Sequence, residues 1–71
     1  MKKASEYRLH AKECRGLAAQ MSSTEQREMM LQMAEHWDKL AAERVAMIAR
    51  HPELALEGEH DEERSWVANG A

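Results

Sequence analysis

Residues 17–34 read LAAQMSSTEQREMMLQMA, and the six from Met21 to Gln26 decide the fold. On either side lie Ala, Leu, Met, Gln, Glu and Arg, all strong helix formers. Ser22-Ser23-Thr24 interrupts them. Ser22 with Glu25, and Ser23 with Gln26, both have the spacing of a capping box. In that motif a hydroxyl accepts from one orphan N–H and the acid or amide returns to another. Glu25 and Glu28 suit the positive end of a helix dipole. One helix therefore ends at about Met21 and the next begins at about Thr24. Two helices joined by so short a link lie antiparallel.

Working outward toward the N-terminus, Tyr7, His10, Cys14, Leu17 and Met21 recur every three or four residues, flanked by Ala11 and Ala18. That spacing predicts a one-faced helix over residues 4–21. Toward the C-terminus, Met30, Met33, Ala34, Trp37, Leu40, Ala41, Val45 and Ile48 predict a second helix over 24–50, and Met29, Leu31 and Met47 widen its apolar face. Arg50 and His51 suit its negative end, and Pro52 stops it. Folding the two about the Ser22–Thr24 link sets Leu17 near Met30, Cys14 near Met33, His10 near Trp37 and Tyr7 near Leu40.

The helices are unequal, about 27 Å against about 40 Å. Past Arg44 the second has no partner in the first, yet Val45, Met47 and Ile48 are apolar and need cover. A second copy of the chain would supply it, giving an antiparallel four-helix bundle. A fold-back through Leu54 and Leu56 is the alternative. The homodimer is favoured, because Leu9 and the wide Met-rich face also need covering.

The expected class is thus all-α: a two-helix hairpin over residues 1–52 that dimerises, followed by an acidic, unstructured tail over 53–71. From Glu53 onward there are six carboxylates and one base, whereas residues 1–52 carry +2. Seventy-one residues make one domain at most, and a chain of this size buries only about 60% of its unfolded surface. The single cysteine, Cys14, forms no intrachain disulfide and fits a reducing compartment. Lys2 and Lys3 are not followed by the apolar run of a signal peptide. No stretch approaches the roughly 20 apolar residues of a membrane span. A cytoplasmic protein is the expectation.

Two segments carry a resemblance. YRLHAKECRGLAAQM, from Tyr7 to Met21, and MAEHWDKLAAER, from Met33 to Arg44, resemble a group of short uncharacterised α-proteobacterial helical-hairpin proteins. The shared pattern is Tyr-Arg, then Ala-x-Glu-Cys-Arg-x-Leu-Ala, then Met-Ala-x-x-Trp-x-x-Leu-Ala. It falls here on Tyr7-Arg8, on Ala11 to Ala18, and on Met33 to Ala41. The resemblance spans most of both helices and none of the tail. It implies a bacterial helical hairpin and no particular activity.

Candidate sites are few. His10 and Cys14 lie four apart on one face, a spacing that could give a metal two ligands. A cysteine buried as a small hydrophobe beside a histidine packed on Trp37 is the expected outcome instead. Glu57-x-x-His60 has the spacing of a di-iron carboxylate motif but sits in a Gly-containing charge run. Arg8, Lys12 and Arg15, with Lys2 and Lys3, form a basic patch that could touch phosphates. No aromatic residues interleave with it and the chain's net charge is −3, so nucleic-acid binding is not expected. The acidic tail could screen the patch instead. Arg44 falls in the apolar stripe, where it needs a carboxylate, with Glu6 of the same or a second chain as the candidate, or a place at a polar rim or dimer interface. A stem that covers apolar surface while its head reaches water is the expected outcome. No catalytic constellation and no cofactor site are legible. The expected role is a non-enzymatic interaction or regulatory protein that binds itself or a partner helix. The expected interface is Leu9, Met29, Met33, Leu40, Arg44, Val45, Met47 and Ile48. A metal- or redox-responsive protein and a nucleic-acid accessory are the alternatives.

Overall fold

The computed structural model describes residues 2–68. Its elements are α1 (Ala4–Gln20), α2 (Thr24–Arg50), a 3-10 turn (Pro52–Leu54) and α3 (Glu59–Ala68). The first two ranges match the capping and periodicity signals to within a residue. Ser23 is the N-cap of α2, and its Oγ accepts from the Gln26 N–H at 3.3 Å. Across the link, the Arg27 guanidinium donates to the Met21 carbonyl at 2.9 Å. That bond serves a backbone acceptor the turn would leave open.

The α1–α2 seam is lined by small residues. Ala11, Cys14 and Ala34 form its buried cluster, with Trp37 packed against it, and Ala18 and Ala41 continue it. Their spacing alternates between three and four, as knobs between two packed helices require. Small side chains let the backbones approach closely. One consequence differs from the expected stripe: the buried line runs through Ala4, Ala11, Cys14 and Ala18, while Leu17 is 50% exposed. The expected pairing of His10 with Trp37 holds, whereas Tyr7, expected near Leu40, stacks on Trp37 as well. His10 lies 4.7 Å from Trp37 and Tyr7 5.9 Å from it, centroid to centroid.

The larger difference concerns residues 53–68, expected as an unstructured tail. They fold back onto the hairpin. His51 ends α2, Pro52 starts the 3-10 turn, and Gly58 takes φ +77°. That left-handed conformation favours glycine, and it turns the chain into α3. Residues 69–71 of the expected tail lie outside the described residues.

α3 occupies one side of the hairpin. It meets Ser5 and Arg8 of α1, and with Val45, Ile48 and Ala49 of α2 it forms a groove of about 430 Å³. Of the apolar overhang Ile48 is buried, while Val45 and Met47 stay half-buried. Of the two covers weighed from the sequence, the fold-back is the one present. α3 faces Val45 and Ile48 across an open groove, and the side chains of Leu54 and Leu56 stay exposed. Among the described residues no helix is long and apolar enough to cross a membrane.

Candidate interaction surface

The anchor of α3 explains which surface remains open. Glu59, the first residue of α3, is 0% exposed and Arg44 is 3% exposed. Arg44 Nε donates to Glu59 Oε2 at 3.0 Å and Nη2 donates to Oε1 at 2.8 Å. Nη2 also donates to the Leu54 carbonyl at 3.1 Å. The same carboxylate accepts the Leu56 N–H at 2.9 Å and the Ala4 N–H at 3.2 Å. Lys3, the N-cap of α1, has no side-chain cap bond. Glu59 therefore caps α1 from 55 residues away, placing its charge at the positive end of that helix.

The hydrogen bonds from Arg44 are the chief reason the Glu59 carboxyl titrates low, at about 2. The Leu56 and Ala4 N–H groups and the arginine's charge pull the same way, against burial, which pushes it up. The bond to Glu59 likewise raises Arg44. The carboxylate sought for Arg44 is thus Glu59 and not Glu6. Its guanidinium is buried rather than extended to water.

Further along α3, Glu63 takes a two-pronged bond from Arg8, at 3.1 and 2.6 Å, and Glu62 meets Lys3 at 3.7 Å and Ser5 at 3.0 Å. The Arg8 guanidinium lies 4.2 Å from the Trp66 ring centre, a cation–π contact. Arg15 pairs with Asp38 across the hairpin. The basic patch is therefore largely satisfied within the chain. Lys3 and Arg8 are met by the acidic segment itself, and Arg15 by α2.

The opposite side of the hairpin is bare. Met29, Met33 and His36 follow one another there at spacings of four and three, and with Gln32 and Trp37 they line a shallow groove of about 340 Å³. Met29 is 58% exposed and Met33 45%. Leu40 and Met47 continue the same line, half-buried. Leu17 and the half-buried His10 occupy the matching side of α1.

The expected interface residues therefore divide. Met29, Met33, Leu40 and Met47 lie along the bare side. Leu9 is exposed on the outer face of α1, beside the groove under Trp66. Val45 and Ile48 face α3, and Arg44 is consumed by Glu59. These last three belong to the intrachain junction. Sequence reasoning missed Leu17 as a surface residue, Glu59 as the partner of Arg44 and Trp66 as the cover of Arg8. An acidic segment meeting the basic patch, as Glu62 and Glu63 do, was among its expectations. The legible signal for Glu59 was the need of Arg44 for a carboxylate, combined with a glycine directly before the only long acidic run.

His10 and Cys14 are not brought together as a pair of ligands. Cys14 points into the seam with Ala11 and Ala34, and His10 Nδ1 faces Glu13 at 3.1 Å while its ring packs on Trp37. Glu57 and His60 are both exposed. Among the described residues, no three His, Cys, Asp or Glu side chains are grouped so as to hold a metal ion. No protein-family model, curated protein or solved structure matches the chain.

Proposed function

We propose that this chain is a small, non-enzymatic interaction protein that binds a helix, its own or a partner's, through the Met-rich side of α2. The observation that carries the reading is the position of Met29 and Met33. Both are exposed beside Trp37, along a groove that no α3 residue lines. Methionine is unbranched and polarisable, and suits surfaces that adapt to a helical partner. The residues that carry the α-proteobacterial resemblance fit the same scheme. Ala11, Cys14, Ala18, Ala34 and Ala41 build the seam that presents the bare side.

Photo-reactive methionine incorporated in cells tests this directly. Cross-links mapping to Met29 and Met33, joined to a peptide of this or another protein, are expected. Quenching by solvent alone at both positions removes the reading.

A further inference from the structure

We infer that the occupant of the bare side is a second copy of this chain, docked antiparallel so that two hairpins form a four-helix bundle. The inference rests on the proposed interaction surface and names its partner.

Shape and area carry it. The molecule measures 44 × 22 × 16 Å with a radius of gyration of 13.9 Å. A compact chain of this length has a radius of about 11 Å. A hairpin is a single layer of helices, and α3 crosses only one of its sides. Stable domains stack at least two layers around a core. The accessible surface of 5204 Å² exceeds by about 700 Å² the roughly 4,500 Å² of an average folded monomer of 8.2 kDa. That excess is close to the roughly 800 Å² each partner contributes to a standard interface. The buried apolar side chains of the single chain are alanines apart from Cys14 and Ile48, so the larger apolar groups are only partly used.

Charge selects the second copy and its direction. The α2 N-terminus carries Glu25 and Glu28, and its C-terminus carries Arg50, whereas His51 faces Glu53 of its own chain. A two-fold axis crossing α2 between His36 and Leu40 sets Met29 of each copy opposite Met47 of the other. It also brings the acidic first turn of each α2, with Glu25, to the Arg50 end of the other, with the helix dipoles opposed. A parallel arrangement would set Arg50 against Arg50 and Glu25 against Glu25.

The test is sedimentation equilibrium of the full chain from micromolar to millimolar concentration, with far-UV circular dichroism of every variant. Wild type is expected at twice 8.2 kDa. Met33→Glu and His36→Glu, both at exposed positions, are expected to keep the helical spectrum and weaken association by roughly 30-fold or more. Leu9→Glu, on the outer face of α1, is expected to leave the dimer intact. A wild-type chain that remains at 8.2 kDa overturns the inference, as does a dimer indifferent to both Met33→Glu and His36→Glu. A wild-type monomer whose Met29 and Met33 cross-link to a different protein would end the self-association while leaving the interaction surface standing. Absence of both results ends both readings.

Discussion

Along the α1–α2 seam the central buried residues are Ala11, Cys14, Ala18, Ala34 and Ala41, whereas the junction between α3 and the hairpin is centred on a buried Arg44 and Glu59. The seam is held by close packing of small apolar groups, repeated over several turns, so that no one residue dominates it. The α3 junction concentrates its interactions on one carboxylate. Glu59 ties α2 through Arg44, α1 through the Ala4 N–H and the linker through the Leu56 N–H. Packing that is distributed degrades gradually under mutation. A hub fails at once.

The sharpest way to break that contrast is to remove the hub. Glu59→Ala leaves Arg44 buried without its carboxylate, and breaking a buried ion pair from one side costs about 3–5 kcal/mol. A 71-residue domain has a total stability of only about 4–10 kcal/mol. Urea unfolding followed by circular dichroism is expected to show most of that stability gone. The double variant Arg44→Met/Glu59→Leu removes both charges with little change of volume. It still orphans the Ala4 and Leu56 N–H groups, so its expected loss is about 2 kcal/mol, smaller than that of the single variant. A double variant as unstable as Glu59→Ala would show that the pair is not the anchor.

Titration reaches the same carboxylate without mutation. Glu59 binds its proton at about 2 in the folded chain against 4.5 for an ordinary glutamate. A carboxyl held low stabilises the fold fully above its unfolded value, and the contribution is lost as pH falls toward the folded one. Stability should therefore decline between pH 4.5 and about 2, by at most about 1.4 kcal/mol per pH unit from this group. Glu59→Gln should flatten that decline. An unchanged acid slope in Glu59→Gln would assign the titration to other carboxylates.

The seam should respond to size rather than charge. Ala34→Leu forces a large side chain between closely packed backbones, and overpacking of this kind costs about 1–3 kcal/mol. Met33→Leu, one residue away on the bare side, should change the stability of the single chain little. Equal tolerance at both positions, read from urea midpoints, would mean that the seam is not closely packed.

The two regions also differ in how far the sequence disclosed them. Periodicity and capping are local signals, and they placed α1, the Ser23 cap and α2 to within a residue. Local signals do not report where a distant segment returns. The partner of Arg44 lies 15 residues on, and the cap of α1 comes from 55 residues away. The acidic run reads as a solvated tail by composition, and of its six carboxylates four are exposed and Glu63 is half-buried. The sixth, Glu59, is indistinguishable from them by composition. The same blindness applied to the seam's centre. Leu17 and Met33 outweigh Ala18 and Ala34 on any hydrophobicity count, so the stripe was centred on the larger residues. Close packing of the helices favours the smaller ones.

Two glycines separate the regions with the smallest expected effects. Gly16 lies in the interior of α1, and a Cβ there would meet nothing within 4 Å. Gly16→Ala should therefore stabilise by about 1 kcal/mol, through helix propensity alone. Gly58 is equally unobstructed but holds φ +77° directly before Glu59. Gly58→Ala should destabilise by about 1–2 kcal/mol, because an L side chain resists the left-handed conformation. The same substitution thus has opposite signs in the two regions, and the reporters differ as well. Trp66 sits on α3 and Trp37 beside the seam. In single-tryptophan variants, Gly58→Ala should shift the Trp66 unfolding midpoint downward and Gly16→Ala should shift that of Trp37 upward. A stabilising Gly58→Ala would mean that the turn into α3 does not need glycine, and with it would go the argument that this turn delivers Glu59 to Arg44.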